Sequence, residues 1–153
     1  MVTHVSAGEY SLRYGCDAMD FAKVTAMLAG AFWCEGISQA EVRRGAENSA
    51  LVVGAFHGGE QVGYARAISD RTRFAYILDV YVDKNCRRQG IGQMMVRGIL
   101  CHEDLQDVYQ WLLITKDAHG VYEKLGFRVT ARSGDWMEIR SPRSRRQLRA
   151  GVP

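Results

Sequence analysis

The chain has 153 residues, 47% of them hydrophobic and 24% charged, with a formal charge of +3. That length carries one domain with a real core rather than two, and every apolar run is broken before the ~18 residues that a membrane helix needs. The four cysteines (Cys16, Cys34, Cys86 and Cys101) are far apart and form no C-x-x-C pair, which argues against a zinc site or a disulfide scaffold and for a reducing cytoplasm.

The basic balance sits at one end. Residues 140–153, RSPRSRRQLRAGVP, hold five arginines and no acid, and with those arginines set aside the charge becomes −2. The reading is a domain over 1–140 followed by a basic, solvated tail over 141–153, since nothing in that segment can build a core. A body of such charge is not expected to bind nucleic acid. The opening MVTHVSAGEYSLRYG has no basic region followed by an apolar stretch, so no secretory leader is expected.

Tyr10, Leu12 and Tyr14 alternate with polar residues, as in a half-buried strand. Asp17 is placed to cap a helix whose apolar positions Phe21, Val24, Leu28, Ala31 and Phe32 recur at helical spacing. Ser38-x-x-Glu41 is a capping-box pattern and opens a short helix through Arg44. ALVVGAFH and QVGYARAIS flank His57-Gly58-Gly59-Glu60, a turn that favours a tight hairpin. FAYILDVYV (74–82) reads as a third strand, long and apolar enough for the middle of a sheet. A helix over 90–102 follows, with Ile91, Met94, Met95 and Ile99 on one side. QWLLIT (110–115) reads as a buried strand, and DAHGVYEKLGF as a short helix ended by Gly126 in the left-handed conformation. A last strand or hairpin is expected from 127–131 and 136–139. The predicted fold class is α/β (α+β) with a central mixed sheet, about four flanking helices on both faces, and a parallel pair 74–82/110–115 joined through helix 90–102.

The turn between strand 74–82 and its helix contains Arg87, Arg88, Gln89, Gly90 and Gly92. The first N–H groups of a helix have no partner inside it, and the helix dipole favours negative charge there. Glycines let a phosphate approach the backbone, and arginines add permanently charged, forked donors. The nucleotide loop G-x-x-x-x-G-K-[ST] is absent, and in the dinucleotide pattern G-x-G-x-x-G the third glycine is replaced by Met95. The residues therefore suggest a phosphate or pyrophosphate ligand of another kind, against the plainer reading of a helix start that only needed a tight turn.

Arg87-x-x-Gly90-x-Gly92 after the strand resembles the acyl-CoA motif Q/R-x-x-G-x-G/A of the GCN5-related N-acetyltransferase (GNAT) superfamily. Downstream, Ala118, Tyr122, Lys124, Gly126 and Phe127 are similar to that superfamily's A-x-x-x-Y-x-K-x-G-F segment, and GGEQVGYARA to its preceding hairpin. The two motifs stand in the right order and at the right separation over most of the chain. The resemblance implies a small, cytoplasmic, single-domain member that uses acetyl-CoA, with the two parallel strands splayed apart around the pantetheine arm. It implies that Val80, Tyr81 and Val82 hold that arm through their backbone, with a Val80 N–H facing the thioester oxygen. Arg87, Arg88, Gln89, Gly90, Ile91, Gly92 and Gln93 would then wrap the diphosphate. Thr115 takes a position where many members carry Asn, so the hydroxyl remains for pantetheine and the amide is lost.

Tyr122 matches the residue that hands a proton to the departing CoA thiolate, a reasonable acid with a phenol pKa near 10. Asp79, polar inside an apolar strand, is read either as a general base or water relay or as one half of a structural pair. Trp33 and Glu35, between the first two helices, are candidates for acceptor contact. His119, one helical turn before Tyr122, is a further candidate. No metal is expected. The activity implied is acetyl transfer to the primary amine of a small molecule. Acetylation of a protein or peptide amine, and a non-catalytic acyl-CoA-binding module, are the competing readings. No membrane partner is expected, and the resemblance allows a homodimer with Trp136 near its interface.

Overall fold

The computed structural model describes residues 9–141, so the arginine-rich segment 142–153 and the first eight residues lie outside the described residues. Five strands form one sheet in the order β1-β2-β3-β4-β5: β1 Tyr10–Tyr14, β2 Leu51–His57, β3 Glu60–Ser69, β4 Phe74–Val82 and β5 Gln110–Leu112. The helices are α1 Phe21–Ala29, α2 Gln39–Glu47, α3 Ile91–Leu100 and α4 His119–Glu123. The first four strands pair antiparallel in succession, and β5 adds parallel to β4 after the α3 crossover.

Each sheet face carries its own core. On one, α3 lays Ile91, Met94, Met95, Val96 and Ile99 against Leu12, Val53, Ala65 and Ile77. On the other, Phe21, Val24 and Leu28 of α1 and Val42 and Ala46 of α2 cover Val52, Phe56, Tyr64 and Tyr81. The strand residues alternate between the two clusters because successive side chains of a strand point to opposite faces. Close packing of α3 depends on Gly63, where a Cβ would stand 3.0 Å from the Met95 thioether.

Several elements form where their sequence signals stand. β4 has the expected bounds, and the Gly58-Gly59 turn joins β2 to β3. The capping box is complete: the Glu41 N–H donates to Ser38 Oγ at 3.2 Å and the Ser38 N–H to Glu41 Oε2 at 2.9 Å. Other expectations are corrected. Asp17 lies in a 3-10 turn, and the residue that caps α1 is Asp20, whose Oδ1 accepts from the Lys23 N–H at 3.1 Å. Asp20 is fixed there because its own N–H donates to the buried Gln61 at 2.8 Å. α1 stops at Ala29, so Ala31 is buried from the following turn while Phe32 is 66% exposed.

The strand expected over 110–115 spans only Gln110–Leu112. The last strand or hairpin does not form; residues 133–135 make a 3-10 turn, and Met137 and Ile139 are 96% and 100% exposed. Alternating apolar residues become a strand only beside an edge long enough to pair with, and β5 offers three residues. Trp136 of this segment rests near Phe74, ring centroids 6.4 Å apart.

Two buried polar side chains on the α1 side predict opposite responses. Gln61 is fully used: its amide donates to Gly63 O at 3.0 Å while its Oε1 accepts from Asp20. The Tyr64 hydroxyl has no hydrogen-bond partner among the described residues, and burial pushes its pKa up strongly. Gln61→Leu should cost about 1–3 kcal/mol by orphaning its partners, whereas Tyr64→Phe should be neutral or stabilising by up to ~1 kcal/mol. Urea-unfolding midpoints of the two variants check this, and a Tyr64→Phe loss as large as that of Gln61→Leu would contradict it.

Candidate functional site

Two interruptions of β4 make the site. Pairing with β5 runs only from Phe74–Gln110 to Tyr76–Leu112, so from Ile77 to Val82 the β4 edge on that side has no strand partner among the described residues. The second interruption is a bulge. Pairing with β3 steps from Tyr64–Tyr81 to Arg66–Leu78, which places one extra residue in β4. Asp79 occupies it with φ +55. A bulge reverses which side chains face which core: before it Ala75 and Ile77 join the α3 core, and after it Val80 and Val82 do. Tyr81 is directed to the opposite face, against Trp33, so only its backbone is available to the open edge.

Beyond β4 the chain makes a 3-10 turn, then passes twice through the left-handed region, at Arg88 (φ +64) and Gly90 (φ +77), before α3 begins. Gly90 is the N-cap and supplies no side-chain acceptor, so the first N–H groups of α3 lack partners within the helix. They open on a cavity of about 350 Å³ lined by Val82, Cys86, Arg87, Arg88, Gly90–Gln93, Val121 and Lys124. Arg87 is folded over the end of β4: its guanidinium lies 5.2 Å from the Tyr81 ring centroid and its Nε donates to Val82 O at 3.1 Å. Gln89 is turned away from the cavity, where its Oε1 accepts the Tyr10 hydroxyl at 2.9 Å.

The far wall comes from α4. Gln93 Nε2 donates to Val121 O at 3.4 Å and ties that helix to α3. Val121 and Lys124 stand one helical turn apart and so share a face. In the sequence Lys124 stands out only as a motif position, Cys86 reads as a small buried or edge thiol and Val121 carries no signal of its own; the i, i+3 spacing of Val121 and Lys124 is what places both on this wall. Tyr122 is half-buried on the core side of α4 and does not line the cavity; it packs on Phe127 with centroids 6.0 Å apart. Burial raises its pKa, and its hydroxyl has no hydrogen-bond partner among the described residues. Thr115 Oγ1 accepts the Ala118 N–H at 3.0 Å, closing the turn into α4. His119 is exposed at the first position of α4.

On the opposite side of the open edge stands the α1–α2 connection. Trp33 Nε1 donates to Asp79 Oδ1 at 3.2 Å, and the Cys34 thiol reaches the same oxygen at 3.6 Å. Phe32 packs edge-on to Trp33 at 5.0 Å and carries the Lys116 ammonium 4.5 Å from its ring centroid. Glu35 is exposed in this connection. Trp33 and Asp79 thus come together, whereas His119 belongs to the α4 side. Among the described residues no group of acids, histidines and cysteines could hold a metal ion, and no helix is long and apolar enough to cross a membrane.

Residues 48–129 match the model of the GNAT acetyltransferase domain. The chain belongs to the GNAT acetyltransferase family. A GNAT-family acetyltransferase of Xanthomonas campestris pv. campestris is 31% identical, with 90% of this chain and 96% of that one covered and a TM-score of 0.83. Two more distant structures share the fold. A Clostridium acetobutylicum acetyltransferase solved with acetyl-CoA is 18% identical, covering 86% of this chain and 96% of its own, TM-score 0.65. An aminoglycoside acetyltransferase from an uncultured soil sample is 21% identical, covering 88% and 99%, TM-score 0.64. Among curated proteins none matches the sequence.

This acetyltransferase is an N-acetyltransferase with acetyl-CoA as its cofactor, and the cavity fits a diphosphate. The N–H groups of the α3 start face it, Arg87, Arg88 and Lys124 supply cations, and a Cβ at Gly90 would meet nothing within 4 Å. Because Gly90 also holds φ +77, Gly90→Val should lower CoA affinity by about tenfold or more, equivalent to ~1.4 kcal/mol, and cost about 1–2 kcal/mol of stability. Calorimetric titration with CoA is the measurement; unchanged affinity in a folded variant would refute the phosphate role of the turn.

Proposed function

We propose that this acetyltransferase moves the acetyl group of acetyl-CoA directly to the primary amine of a small molecule. The observation that carries the reading is the early end of β4–β5 pairing, which leaves an unpaired strand edge leading straight into the Arg-Gly turn and the start of α3. When bound, acetyl-CoA supplies an activated thioester for attack by the amine. The backbone of Val80 and Val82 holds the pantetheine in the manner of an added strand, with Thr115 near its path. Val80 N–H stands as the donor to the carbonyl oxygen, where negative charge gathers during transfer. Arg87, Arg88, Gln89, Gly90, Ile91, Gly92 and Gln93 form the diphosphate turn, Gln89 through its backbone.

Tyr122 delivers its hydroxyl proton to the leaving sulfur. Burial keeps the phenol protonated through the neutral range, so the proton is present, although it also makes the phenol a weaker acid; the role is supported by the family motif that Tyr122 matches. Asp79 belongs to the acceptor side with Trp33 and Glu35. Its two oxygens already accept from Arg66, Trp33 and Cys34, which supports the structural-pair reading of this residue over proton abstraction. With Asp79 paired to Arg66 and the Phe32 ring carrying Lys116, Glu35 and the exposed Trp33 ring are what this wall offers to a small amine that carries apolar substance. The spacing of the free cysteines keeps a cytoplasmic setting as part of the reading.

Purified protein with acetyl-CoA and an amine panel, followed by thiol release, tests the proposal. Tyr122→Phe is expected to lower kcat by about 100-fold with the KM for acetyl-CoA little changed; an unchanged kcat would remove Tyr122 as the acid. The pH profile follows from the direction of the shift. The Tyr122 hydroxyl titrates above its ordinary value of about 10, so it keeps its proton throughout the neutral and mildly alkaline range. The rate should therefore rise as the amine loses its proton and show no Tyr122-dependent fall below pH ~10.

A further inference from the structure

Asp79 holds a backbone conformation, φ +55, that residues bearing a Cβ avoid and that persists only where its surroundings over-determine it. Here the surroundings are specific. Oδ2 accepts from Arg66 Nε at 2.7 Å, in a pair whose side chains are 16% and 9% exposed. Oδ1 accepts from Trp33 Nε1 at 3.2 Å and from the Cys34 thiol at 3.6 Å. Arg66 Nη1 continues to Gly45 O and Ser49 Oγ, each at 3.2 Å, at the end of α2. One carboxylate therefore ties the bulge to four places: β3, the end of α2, and two residues of the α1–α2 connection. The residue after it is Val80.

We propose that Arg66 and Asp79 are a positioning pair that sets the backbone of the β4 bulge, and with it the direction of the Val80 N–H, while fixing Trp33 to the same carboxylate so that the acceptor wall and the acyl-binding strand keep one geometry. The proposal rests on the N-acetyltransferase reading of the cleft. The two oxygens of Asp79 divide the work: one faces the guanidinium that anchors the strand, the other holds the indole beside which the amine arrives. Lysine in place of Arg66 keeps the charge and loses the planar fork that reaches Asp79, Gly45 and Ser49 at once.

The test compares Arg66→Gln, Arg66→Lys and Asp79→Asn with the parent protein, at a temperature where circular dichroism shows each folded. Where Arg66→Gln does not fold, Arg66→Lys carries the comparison. Nitrogen-15 spectra of the free proteins read the Val80 amide and the Trp33 indole N–H, with Gly90 and Gly92 as references on the phosphate turn; calorimetry reads CoA affinity, and thiol release reads kcat. The expected result is that the Val80 and Trp33 signals move together while Gly90 and Gly92 stay, and kcat falls by about 100-fold in Arg66→Gln. Arg66→Lys should recover part of that loss, with CoA affinity falling much less than kcat because the phosphate turn is left in place. Unchanged Val80 and Trp33 signals, or a full kcat in a folded Arg66→Gln, would overturn the pair's role. A parent protein that turns over no amine would sink the transfer reading instead, and the spectra would still decide whether the pair sets the bulge.

Discussion

A parallel strand pair normally continues until one strand ends, and here β5 leaves β4 after three paired residues while β4 runs on to Val82. Backbone N–H and C=O groups need partners, so an abandoned stretch of strand edge in the middle of a sheet is a standing demand for something extended and polar to lie beside it. The other features of the site answer that demand. α3 brings its unpartnered N–H groups to the far end of the edge, and the α1–α2 connection brings Trp33 beside Asp79 and Tyr81. Placing either without the split would leave it facing ordinary sheet.

The split and the bulge act on the same six residues and do different things. Separation of β4 from β5 opens space on one side; the extra residue in β4 changes which faces Asp79, Val80 and Tyr81 present. Without the bulge, the period-two rule would send Val80 and Tyr81 to the opposite cores from those they occupy. An aspartate in the left-handed region is the local cost, on the order of 1 kcal/mol, and the Arg66 pair offsets it. A buried ion pair gives little net stability against apolar replacements, yet losing one partner leaves the other charge stranded. Such pairs therefore favour one arrangement of backbone more than they add to stability, which suits a strand whose geometry matters more than its strength.

What the residues disclosed in order along the chain was mostly local. β4 was legible because eight apolar and aromatic residues, interrupted only by Asp79, stand between a charged loop and a turn, and the capping box because it needs only Ser38 and Glu41. The phosphate turn was legible because its chemistry lies within seven consecutive positions. Features made by distant residues were not. Nothing in the sequence pairs Arg66 with Asp79, since thirteen positions and a strand turn separate them, and Asp20 displaced Asp17 as a cap through a contact with Gln61 across the α1 core. The alternation in 127–139 carried a real strand signal, but a strand is a property of two partners, and β5 is too short to supply the second.

α4 spans five residues, fewer than a helix needs to persist by its own hydrogen bonds. It stands because Tyr122, Leu125 and Phe127 lean on the α3 core and because Gln93 reaches its backbone. One aromatic ring is thus both a prop for the cavity wall and the bearer of the proposed proton donor. Evolution at this position is confined accordingly: any replacement that abandons the ring dismantles the wall along with the acid, so drift in chemistry here can proceed only through residues that are themselves good props.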